Sequence, residues 1–114
     1  MKLAALLVAI STLAPAQTGL AEDPEGAFKM AVYFVRNGLK APSTAQFCSF
    51  EDAKIKMKLS KKGDRMNYEV RGWLDAQNSY GAMLRSYFLC KLYQKAGDSE
   101  HWFAELTAID ERRL

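Results

Sequence analysis

Lys54-Ile55-Lys56-Met57-Lys58-Leu59-Ser60-Lys61-Lys62-Gly63-Asp64-Arg65-Met66-Asn67-Tyr68-Glu69-Val70-Arg71 is the stretch on which the fold turns. Its first part alternates strictly. Ala53, Ile55, Met57 and Leu59 point one way, and Lys54, Lys56 and Lys58 the other, which is the pattern of a half-buried strand. Ser60 to Asp64 is polar and offers Gly63 for a positive φ, so it reads as a hairpin loop. Met66, Tyr68, Val70 and Leu74 then form the inward face of a second strand. Asn67, Glu69, Arg71 and Asp75 lie outward, with Trp73 among them.

Upstream, Asp23-Pro24 reads as an N-cap followed by proline at the first helical position. Glu25 suits the positive end of the helix dipole. Ala27, Phe28, Ala31, Phe34, Val35 and Leu39 recur at helical spacing and make one apolar stripe. Asn37-Gly38 and Pro42 mark its end, so a helix is expected from Pro24 to Leu39. Gln46 to Phe50 reads as a short strand or an anchored loop. Downstream, Ala82, Leu84, Ser86, Phe88, Cys90 and Leu92 alternate with Met83, Arg85, Tyr87, Leu89, Lys91 and Tyr93. This third strand is apolar on both faces and should be central. Gln94 to Glu100 is a turn, Trp102 to Ile109 a fourth strand, and Asp110 to Leu114 a charged tail.

The order implies an α+β domain: one N-terminal amphipathic helix packed on a three- to four-stranded antiparallel meander. Such a roll is cystatin-like in architecture, a comparison that assigns no activity.

The N-terminus carries Lys2, an apolar run from Leu3 to Leu13, and small residues at Ala14-Pro15-Ala16 and Gly19-Leu20-Ala21. These are the parts of a secretory signal peptide, with cleavage expected after Ala21 and Ala16 as the alternative. The run is shorter than the roughly 20 apolar residues of a transmembrane helix, so no transmembrane span is expected in the mature chain. Residues 22–114 would form a single domain of about 93 residues, periplasmic or secreted. In such a compartment Cys48 and Cys90 are expected to form a disulfide. Its loop of about 43 residues would contribute roughly 4 kcal/mol. The formal charge of +3 is mild and implies neither nucleic acid nor another obligate polyanion as partner.

Chemistry-bearing residues are sparse. His101 is the sole histidine, and catalysis would need it as a base, with Ser86 or Ser99 as nucleophile or with Glu105 as its carboxylate. No nucleophile-elbow motif accompanies it, and one histidine cannot assemble the usual metal set. The carboxylates are scattered and the glycines single, so neither a catalytic acid pair nor a phosphate-cradling loop is present. No cofactor is expected. The lysines Lys54, Lys56, Lys58, Lys61 and Lys62 could bind an anionic surface, or could simply guard an edge strand against pairing. No arginine or aromatic interleaves with them in sequence, as a nucleic-acid platform would require. Asp75-Ala76-Gln77-Asn78-Ser79-Tyr80-Gly81 is longer and richer in amides than a tight hairpin needs. It reads either as a presented recognition loop or as a loop that Asp75 and Asn78 stiffen by bonding their own backbone. Arg71 and Trp73 flank it and could extend the same patch, since Trp, Tyr and Arg are frequent interface anchors.

The segments Leu39-Lys40-Ala41-Pro42-Ser43-Thr44-Ala45-Gln46-Phe47 and Val70-Arg71-Gly72-Trp73-Leu74-Asp75-Ala76-Gln77-Asn78-Ser79-Tyr80-Gly81-Ala82 together resemble a group of small bacterial exported or membrane-tethered domains. The resemblance spans about Ala27 to Leu92 and implies a shared fold without a chemistry. It singles out Pro42, Ser43, Thr44, Asp75, Gln77, Asn78 and Gly81. The expected function is a non-enzymatic binding or accessory module of the cell envelope. It would present Arg71, Trp73, Asp75, Gln77, Asn78 and Tyr80 to a protein partner. A small hydrolase using His101 and an anion-binding surface protein using the Lys54–Lys62 stripe are the alternatives.

Overall fold

Asp23 starts the helix as its side chain implies. Its Oδ1 accepts the Gly26 amide at 3.0 Å, Pro24 fills the first helical position, and Glu25 occupies the first turn. The resulting helix, α1 (Pro24–Asn37), stops when the Gly38 amide turns back to the Val35 carbonyl at 3.0 Å. It therefore ends short of the expected Leu39. Ala27, Ala31 and Val35, four residues apart, are wholly buried. The two alanines let the backbone come close to the sheet beneath. The Asp23 amide also donates to the Tyr68 hydroxyl at 2.9 Å, which ties the start of α1 to the middle of the sheet. Burial pushes the Tyr68 hydroxyl pKa up, against the lowering effect of that bond.

The computed structural model describes residues 22–39 and 42–111. The expected signal peptide at residues 1–21, residues 40–41 and the end of the charged tail lie outside the described residues. The strands are β1 (Gln46–Phe47), β2 (Lys54–Leu59), β3 (Arg65–Gln77), β4 (Met83–Lys95) and β5 (Phe103–Glu111). All pair antiparallel. β4 lies between β3 and β5, and the other side of β3 pairs with β2 along Met66–Arg71 and with β1 at Leu74 and Asp75. The α+β class, the inward faces and the central place of β4 agree with the sequence. The strand number does not: Gln46–Phe47 joins the sheet and makes five where three or four were expected. β5 also runs to Glu111, into the expected tail.

The hairpin between β2 and β3 closes through Ser60. Its amide donates to the Arg65 carbonyl and its hydroxyl meets Asp64 Oδ1 at 2.7 Å, while Gly63 takes a φ of 71°. β3 and β4 are paired without interruption from Arg65↔Lys95 to Gln77↔Met83. The core is therefore one face of this ladder under α1: Tyr68, Val70, Leu74, Phe88, Cys90 and Leu92, closed at one side by Trp102 against Tyr68. α1 lies mainly over β3, β4 and β5 and reaches β2 only at its margin. Met57 and Leu59 thus point inward in register yet stay exposed.

The expected disulfide is absent. Cys48 and Cys90 are both free thiols, and both are buried. Each has its own surroundings. Cys48 Sγ sits over Gly72, which also receives the Phe88 ring, whereas Cys90 Sγ lies 3.9 Å from Thr107 Oγ1 on β5. Burial pushes the Cys90 thiol pKa up. Both thiols should resist alkylation in the folded protein and both should react, without prior reduction, once it is denatured. Intact mass before and after alkylation checks this.

Gly72 is the closest approach in the core. A β-carbon there would stand 2.8 Å from Cys48 Sγ and 2.9 Å from Phe88 Cζ. Its cross-strand partner is Phe88, whose ring covers the space that a side chain would fill. Gly72→Ala should cost about 1–3 kcal/mol through overpacking, read as a lower urea midpoint.

Candidate functional site

Because α1 covers one face of the sheet, the alternate residues of β3 and β4 meet on the other. Among the described residues no further element packs over that second face. Its loop end is the most organised part. Asp75 and Arg85 are direct cross-strand partners. Arg85 Nε donates to Asp75 Oδ1 at 2.8 Å and Nη2 donates to Oδ2 at 3.0 Å, a bidentate pair. Arg85 holds the Asp75 carboxyl below the usual carboxylate range, and the carboxylate raises the guanidinium in return. The same guanidinium lies 3.8 Å above the Trp73 ring. Trp73 in turn faces Tyr87 across the ladder. Tyr87 and Met83 are exposed beside it.

A cleft of about 410 Å³ opens next to this cluster, lined by Asp52, Lys54, Arg71, Gly72, Trp73, Tyr87 and Phe88. It lies where the edge of β3 passes from β2 to β1, between Arg71 and Leu74. Arg71 stands directly opposite Lys54, and its Nε donates to Glu69 Oε2 at 2.9 Å. That bond holds the Glu69 carboxyl low, and Lys56 and Lys91 lower it further.

The recognition-loop residues divide. Asp75 and Gln77 belong to β3, not to the turn. The Gln77 amide donates to Thr44 Oγ1 at 3.3 Å, so Pro42–Thr44, a 3-10 turn, docks against the end of the strand. Asn78 is the tie of the turn: its Oδ1 accepts the amides of Tyr80 and Ala82 at 2.9 and 3.0 Å, and Gly81 takes a φ of 86°. Tyr80 at the tip is 92% exposed. The structure brings Arg71, Trp73 and Asp75 onto one face and gives Asn78 a structural task. Arg85, Tyr87 and Met83 complete the cluster and were missed. The available signal was their alternation with the core residues of β4.

The lysines Lys54, Lys56 and Lys58 stand on this same face, opposite Arg71, Glu69 and Asn67. Lys61 and Lys62 lie in the adjoining turn. The absence of interleaved arginines and aromatics holds only along the sequence. Across strands, Arg65 lies 4.1 Å over Tyr93, Tyr93 stacks on Phe103 at 5.3 Å, and Lys95 covers Phe103 at 4.9 Å.

His101 is not joined to Glu105. Its Nδ1 lies 2.9 Å from Asp98 Oδ1, whereas Glu105 reaches Arg65 at 3.8 Å from a bulge in β5. Among the described residues no group of three or more His, Cys, Asp or Glu side chains could hold a metal ion, and no helix is long and apolar enough to cross a membrane. No protein-family model, curated protein or solved structure matches the chain.

The hydrogen bond with Asp98 raises the His101 pKa, and the same bond lowers that of Asp98. The histidine side of this stabilisation is complete below the ordinary histidine pKa and fades as pH rises through the raised one. The aspartate side is present above its ordinary pKa and fades as pH falls through the lowered one. Asp98→Asn should therefore move the His101 titration, followed by NMR, to lower pH while keeping the backbone bonds to Glu100 and His101.

Proposed function

We propose that this chain is a non-enzymatic binding module of the bacterial cell envelope that holds a protein partner against the loop end of its uncovered sheet face. One observation carries the reading: Arg85 is fixed between a bidentate carboxylate, Asp75, and the face of Trp73. A long cation held in one geometry has already lost the rotamer freedom that binding would otherwise cost. Around it stand Tyr87, Met83 and the projecting Tyr80, a set of the residue types that dominate interface energies. The neighbouring cleft offers a recess beside Arg71 into which a partner side chain could reach. The export pattern of residues 1–21 supports the envelope location, whether periplasmic or secreted. The packing of one helix on an antiparallel sheet adds no activity to this reading.

The test is site-directed crosslinking in cells that express the chain. A photoreactive phenylalanine at position 80 or 87 should give one protein adduct, and the same group at the exposed helix position of Tyr33 should not. Arg85→Ala should abolish the adduct. Tyr80→Ala should weaken it with no change in thermal midpoint, whereas Asn78→Ala should lower the midpoint because it removes the tie of the turn. Equal adducts from positions 33, 80 and 87 would defeat the proposal.

A further inference from the structure

We infer that the middle of this face, beyond the Trp73–Arg85 cluster, docks the domain on an anionic phospholipid surface. The inference rests on the envelope reading for its location and not on the protein partner. The small net charge conceals a strongly uneven distribution. On this face Glu69 is held by Arg71 and Asp75 by Arg85, while Asp110 stands opposite Tyr87 on β5 and Asp52 lines the cleft beside Lys54. Among the described residues Lys54, Lys56, Lys58 and Lys91 are in no ion pair, and Lys56 and Lys91 flank Glu69, which Arg71 already holds. Like charges directly opposite, as in Lys54 and Arg71, weaken a sheet, and an anion bound between them would relieve that repulsion.

The chemistry between the lysines is apolar. Leu89 and Leu106 lie beside Arg71 and Lys91 on the adjacent strands, and Leu106 is 44% exposed. Long lysine stems can lie along such a surface while their ammonium groups reach phosphates. Apolar and aromatic side chains then enter the boundary between headgroups and acyl chains. A nucleic acid is served less well. It would need open ring faces for its bases, and those of Trp73 and Tyr93 are already covered by Arg85 and Arg65 at 3.8 and 4.1 Å. A free phosphate is also served less well, because these lysines converge on no buried point.

The experiment is vesicle co-sedimentation with protein purified after expression of the full chain. Vesicles of equal parts phosphatidylglycerol and phosphatidylcholine should retain the protein, vesicles of phosphatidylcholine alone should retain it weakly, and added salt should release it. The triple variant Lys54→Glu/Lys56→Glu/Lys58→Glu should lose at least about tenfold in partition, and Lys91→Glu, on another strand, a smaller part. Lys29→Glu, on α1, should leave partition unchanged at an unaltered thermal midpoint. Equal retention by both vesicle types would overturn the inference, as would tighter binding of an oligothymidylate than of the mixed vesicles. So would an equal loss from Lys29→Glu, which would reduce the effect to net charge. The crosslinks from positions 80 and 87 are read separately. Their survival when vesicle binding fails removes this inference alone, and their loss when vesicle binding persists removes the protein partner alone.

Discussion

The unbroken ladder between β3 and β4 governs the molecule. Both strands have 13 residues, and every residue of one has a partner on the other. Side chains alternate across a sheet with period two, so a slip of one residue would exchange the faces completely. That slip is forbidden by Gly72 and Phe88, because only glycine leaves room for the ring and for the Cys48 sulfur. Once this pair is in place, Tyr68, Val70, Cys90 and Leu92 must look toward α1. Trp73, Asp75, Arg85 and Tyr87 must look away from it. The hydrophobic core and the organised outer face are thus two results of one register.

A single helix can cover one face of such a sheet only. The small side chains of Ala27 and Ala31 bring α1 close, and closeness limits its reach, so β2 stays at the margin. The opposite face then contends with water through its own devices. Ion pairs, rings and cations interlock there, with Arg85 on Trp73 and Arg65 on Tyr93. Each such contact on a partly exposed surface contributes modestly. Their larger effect is to fix long side chains in defined positions, and this gives the face a recognisable shape.

How far the sequence could be read follows from the range of each interaction. Alternation and helical spacing are local, and they delivered α1, the strand faces and the hairpin at Gly63. The end of α1 moved only because Gly38 closes the turn before Leu39 can join. β1 was ambiguous because two residues carry no periodicity; its pairing with Leu74 and Asp75 is decided by the distant strand. The cysteine pairing rested on the compartment and on there being two cysteines, neither of which says where a sulfur points. Cys48 is directed onto Gly72 and Cys90 toward Thr107. The candidate patch was half legible. Arg71, Trp73 and Asp75 stood out beside an unusual loop, while Arg85 and Tyr87 came from the facing strand and needed the register to be seen. The same register placed arginines and rings beside lysines that appear alone in the chain.

The bond from the Asp23 amide to the Tyr68 hydroxyl sets a boundary on processing. Cutting the chain anywhere upstream of Glu22 leaves the helix cap, the tie and the buried phenol whole. Removal of Glu22 would turn the Asp23 amide into a charged terminus directly against that phenol, and removal of Asp23 as well would delete the cap itself. An exopeptidase trimming the domain would therefore meet a thermodynamic stop at Asp23, and a domain cut past it would be marked for further digestion.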